Sequence, residues 1–128
     1  MQLRLSSLVL TALLSSAVHA NPVSSVPSGL KVSMQPTQTP VPLNQMHSWT
    51  VLLKNSQDEP VADAQINVNG GMPAHDHGLA TSPRVTRYLG EGQYLLEGVR
   101  FHMPGEWLMK LDIQYLDQSF TAEIPVTL

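Results

Sequence analysis

The chain has 128 residues, a formal net charge of −3 and no cysteine, which allows one domain rather than two. Ten Asp and Glu against seven Lys and Arg leave no basic patch, so nucleic-acid binding lacks the charge that drives it. Without thiols, disulfides, thiolate metal sites, thiol redox chemistry and lipid attachment through an N-terminal cysteine are all excluded.

Residues 1–20 read as a secretory signal peptide. Arg4 supplies a short positive start, "SLVLTALLSSA" (7–17) is the apolar stretch, and Val18-His19-Ala20 offers small residues at the cleavage positions. The stretch is shorter than the roughly 20 apolar residues of a membrane span, and serines interrupt it. A retained anchor is the lesser reading. With Arg4 gone, six basic side chains face ten acidic ones. The expectation is a protein exported to a bacterial periplasm, with no stable membrane span once the signal is cleaved.

"NPVSSVPSG" (21–29) is rich in Pro and Ser and reads as a flexible lead-in to a domain over 30–128. "LKVSMQP" (30–36) alternates with Leu30, Val32 and Met34 on one face, a first strand. "TPVPLNQ" (39–45) carries two prolines, as an extended loop or edge does. In "HSWTVLLKN" (47–55), Trp49, Val51 and Leu53 share a face. In "VADAQINVN" (61–69), Ala62, Ala64, Ile66 and Val68 do. The turn chemistry of "NSQDEP" between them predicts an antiparallel pair. "RVTRYL" (84–89) and "QYLLEGVRF" (93–101) flank Gly90-Glu91-Gly92, a hairpin signal. "EWLMKLDIQYL" (106–116) alternates with Trp107, Met109, Leu111, Ile113 and Tyr115 together, and "QSFTAEIPVTL" (118–128) closes the chain. No stretch has helical periodicity. About seven short strands in about 100 residues predict an all-β, immunoglobulin-like antiparallel sandwich.

The chemistry lies in His and Met. Past the signal, Met46-His47, Met72 with His75-Asp76-His77, and His102-Met103 each pair a thioether with an imidazole. That pairing favours Cu(I), and imidazole also suits Zn(II) and Cu(II); the clustered oxygens that Mg or Ca require are missing. In an extended segment His75 and His77 leave the same face, and Asp76 turns away. Strand parity groups Met103 and Phe101 with Val99 and Leu95 in the core and turns His102 outward. The candidate metal ligands are therefore His75, His77 and His102, with Met72 as a soft fourth; Met103, His47 and Met46 rank behind them. Copper ranks above zinc, and no organic cofactor is expected. An alternative stays open. The histidines of "GGMPAHDHG" (70–78) equally serve to close a loop whose glycines supply unusual dihedrals.

Over residues 30–125 the chain resembles the YtkA-like domain, a relative of the FixH group. The resemblance rests on a Met-Pro-x-His-x-His-Gly loop (Met72, Pro73, His75, His77, Gly78), a Gly-x-Tyr hairpin (Gly92, Tyr94), and Phe101, Met103, Gly105 and Trp107 ahead of an alternating strand. It implies an exported or membrane-tethered immunoglobulin-like sandwich, with some members linked to copper delivery and oxidase assembly. It also implies that Phe101, Met103, Gly105 and Trp107 hold the fold. FixH relatives carry a transmembrane helix beside the domain; this chain has a cleavable-looking signal instead.

Two functions follow. One is a periplasmic metal carrier that passes copper to an envelope partner, a copper-receiving protein. The other is a structural or interaction module that presents its loop or an edge strand to an unidentified envelope protein. Enzymatic activity is not expected. There is no nucleophile elbow and no carboxylate pair placed for acid–base work. Three histidines permit a zinc hydrolase, but the only general bases on offer are Asp76 and Glu106.

Overall fold

The structure is a computed structural model that describes residues 22–128. The proposed signal peptide, 1–20, lies outside the described residues. The described chain is all-β. Its strands are β1 (Val23–Ser24), β2 (Leu30–Pro36), β3 (His47–Asn55), β4 (Gln65–Met72), β5 (His77–Gly78), β6 (Arg84–Gly90), β7 (Gln93–Val99), β8 (Glu106–Tyr115) and β9 (Gln118–Thr127). Two of these have only two residues, so the sandwich is built from the seven longer strands that the alternation predicts.

All pairs are antiparallel, in the order β1-β2-β3-β7-β6-β4-β8-β9, with β5 hung on β4. β6 and β4 share one pair, Asn67 with Arg84. The sheet folds over there into two layers, β1-β2-β3-β7-β6 and β4-β8-β9. Val26 and Thr121 exchange two backbone hydrogen bonds of 2.8 Å, so the opposite edges nearly close as well.

Alternation decides which side chains go inside. Trp49, Val51 and Leu53 from β3, Ile66 and Val68 from β4, and Trp107, Met109, Leu111 and Ile113 from β8 all lie in the core. Each such apolar side chain contributes about 1.5–3 kcal/mol on leaving water.

Three expectations need correction. First, β3 and β4 do not form a hairpin: β3 pairs with β2 and β7, and β4 with β5, β6 and β8. The turn after β3 does form, with the Asn55 side chain accepting from the backbone N–H of Gln57 and Glu59. The chain then follows β3 only as far as the bridge from Lys54 to Pro60 and the bond from Val61 N–H to Leu53 O. The buried Tyr94 hydroxyl holds the departing chain, donating to Val61 O at 2.8 Å and accepting from Ala64 N–H at 3.2 Å. Asp63 turns at a φ of 58°, and the chain crosses to the other layer.

Second, Leu95 does not share a face with Val99. Tyr94 and Leu96 point inward, and then Val99 and Phe101. Two steps on β3, from His47 to Trp49, face three on β7, from Val99 to Leu96. This bulge contains Gly98 at a φ of 83°, and one extra residue switches the parity of all that follows. Third, residues 22–29 are laid into the fold: β1 pairs with β2, and Ser25 is buried with its hydroxyl accepting from Leu30 N–H.

Candidate functional site

The "GGMPAHDHG" stretch is a tight hairpin at one end of the sandwich. Gly71 pairs with Gly78 and Met72 with His77, leaving residues 73–76 as the turn. His75 N–H donates to Met72 O, and Leu79 N–H to Gly70 O, both at 3.1 Å. Asp76 takes the left-handed position, φ 53°, which short polar side chains tolerate. A β-carbon on Gly71 would sit 2.7 Å from His77 O. The hairpin closes because that residue has no side chain.

His75 is therefore in a turn and not on an extended strand, and only His77 belongs to β5. Their rings nevertheless stand 6.2 Å apart, centre to centre, at 31°. His102 arrives from the other layer, just past β7. Its ring lies 5.7 Å from that of His77 and 5.3 Å from that of Trp107, nearly perpendicular to each. Trp107 is buried on Phe101, ring centres 5.1 Å apart, and its indole N–H donates to Met103 O at 3.1 Å. All three histidines are exposed. His77 is the shared member of the row, and the Trp107 ring supports its inner end. Among the described residues, no three His, Asp or Glu side chains stand close enough together, as placed, to hold one ion.

The sulfur candidates sit elsewhere. Met72 is 2 % exposed. Its methyl would lie 2.6 Å from a β-carbon on Gly105, so it fills the core where Gly105 makes room. Met103 is half-buried and packs against the core. Met46 is 63 % exposed, with its methyl beside Gly98. His47 is 5 % exposed with both ring nitrogens engaged: Trp49 Nε1 donates to Nε2 at 2.9 Å, and Nδ1 lies 3.0 Å from Gln45 O. An indole N–H only donates. Nε2 must therefore accept, and Nδ1 carries the proton to Gln45 O. His47 ties the start of β3 together and has no nitrogen to offer an ion.

Beside the hairpin, on the outer side of β4 and β8, runs an open groove of 390 Å³ whose lining includes Gly70, Gly71, His77, Leu108, Lys110 and Glu123. Two features escaped the sequence reading. The contact of Trp107 with His102 follows from the bend at 103–105 and has no local pattern. The partnership of His47 with Trp49 has one, since a His-x-Trp on a strand places both rings on the same face.

Fold and hairpin together define a small antiparallel sandwich that carries an exposed histidine row at one end. The chain belongs to the YtkA-like family, whose sequence profile matches residues 25–112. No curated protein matches it. Among solved structures, the ZirS C-terminal domain is similar over 100% of this chain and 84% of that one, at 12% identity and a TM-score of 0.45. Among the described residues, no helix is long and apolar enough to cross a membrane.

Proposed function

We propose that this domain is a non-enzymatic accessory module of the bacterial envelope, located in the periplasm, that binds a metal ion and passes it to an envelope partner. Copper is favoured over zinc. The observation that carries the reading is the meeting of His75, His77 and His102, from two different layers, in ring contacts of 6.2 and 5.7 Å on an exposed rim. Among the described residues, no hydrogen bond engages the rings of these three exposed side chains, which leaves their nitrogens available as donors. Imidazole ligands without thiolate bind reversibly, as a carrier requires.

A second reading keeps the hairpin purely structural and makes the domain an interaction module. It is supported by Met72 in the core, the glycine contact at Gly71 and the lack of a pre-formed three-donor cage among the described residues. Titration of the protein with Cu(I), Cu(II) and Zn(II) separates the two. One saturable equivalent supports the carrier, and none supports the interaction module.

A further inference from the structure

We infer that the ion held at this rim is divalent, Cu(II) or Zn(II), bound through imidazole nitrogen alone with at least one position left open. The inference rests on the metal-binding reading above and specifies its donor chemistry. The paired His and Met residues of the sequence point to Cu(I) through thioether sulfur, and the fold separates the two donor types. Met72, opposite His77 on the hairpin, is turned into the core, and its methyl occupies the space that Gly105 leaves. Bringing its sulfur to the rim would empty that position. Met103 packs against the core while its own carbonyl receives the Trp107 indole. Met46 lies beside Gly98 at the bulge in β7, and both nitrogens of His47 are taken. Of the candidate donors, His75, His77 and His102 are the ones whose rings meet at the rim.

The two ring contacts made by His77 are each compatible with a shared ion. An imidazole bound at about 2.0–2.1 Å has its ring centre about 3.2 Å from the metal, so two rings on one ion stand about 5.2 Å apart at the tetrahedral angle and about 6.4 Å apart when opposed. The contacts of 5.7 Å and 6.2 Å fall inside that range. The donors do not yet converge, but exposed side chains change rotamer within nanoseconds. His77 is the residue both neighbours must turn toward. Three nitrogens leave a fourth position for water or for a ligand from a receiving protein, which is how an ion leaves such a site. The Irving–Williams order then puts Cu(II) above Zn(II).

The test titrates the purified protein with Cu(II), Zn(II) and, without oxygen, Cu(I), each against a competing chelator. X-ray absorption of the loaded protein reads the bound atoms. The expected result is one equivalent of Cu(II), held more tightly than Zn(II), with only nitrogen and oxygen in the shell. His77→Ala weakens binding at least tenfold, and Met103→Leu and Met46→Leu leave it within twofold. The absorption spectrum of the unmutated protein needs no variant to fold. A sulfur neighbour, or Cu(I) bound more tightly than Cu(II), overturns the inference and leaves the metal-binding reading standing. Failure of all three ions to bind saturably overturns both.

Discussion

Gly71 and Gly78 face each other across the β4–β5 hairpin, yet they stand in opposite steric positions. A β-carbon on Gly71 would lie 2.7 Å from His77 O, a backbone atom; one on Gly78 would meet only Gly70 O, at 3.9 Å. Replacing either with alanine removes the same unfolded-state freedom, worth about 0.4–1 kcal/mol in favour of alanine where the backbone accepts it. That gain cancels between the two variants. What is left is the overlap at Gly71, which the hairpin relieves only by opening, at a cost of about 1–3 kcal/mol by analogy with overpacking elsewhere. Gly71→Ala is thus less stable than Gly78→Ala by about that amount, or roughly 4–8 °C of melting temperature per kcal/mol in a domain near this size. Urea denaturation of both variants measures the difference. Equal stabilities, or the reverse order, would refute the account of why this loop carries its glycines.

Tyr94→Phe leaves Val61 O and Ala64 N–H without the hydroxyl that joins them and costs about 1–3 kcal/mol in denaturant unfolding. Burial raises the Tyr94 pKa above its ordinary 10.0. The unfolded chain therefore loses the proton first, and the folded chain's advantage shrinks as pH rises above 10.0; Tyr94→Phe removes that alkaline decline from a stability–pH series. His47→Ala strands the Trp49 indole N–H in the core, which costs about 1–3 kcal/mol, and metal titration of the folded variant shows no change. Trp107 touches His102 at 5.3 Å, so Cu(II) at the rim quenches tryptophan fluorescence; His102→Ala reduces the quenching.

The sequence shows the strands more clearly than their partners. β2 and β3 start and end where alternation places them, and β8 carries the apolar stripe from Trp107 to Ile113 inward. Alternation reports only which side of a strand is wet, so it could not show that β3 and β4 lie in different layers. That depends on the long-range Tyr94 bonds to residues 61 and 64. The parity beyond Leu96 failed for a local reason. Alternation counts Gly98 as one more strand position, yet it sits in a bulge that turns Val99 and Phe101 inward. The three histidines could be picked out by residue type, but their meeting could not. His102 lies just past β7, and its ring meets that of His77 from the other layer, a long-range contact with no local pattern in the sequence. At Met72 and His47, both buried, residue type alone does not separate a soft ligand from a core-filling side chain.

The central claim is that the histidine rim binds a metal ion, and calorimetric titration of the protein and of the His75→Ala/His77→Ala variant with Cu(II) tests it most directly. Both side chains are exposed, so the variant keeps a cooperative melt near that of the unmutated protein. The account predicts one equivalent bound by the unmutated protein and none by the folded variant. Equal Cu(II) affinity in the two proteins would contradict it.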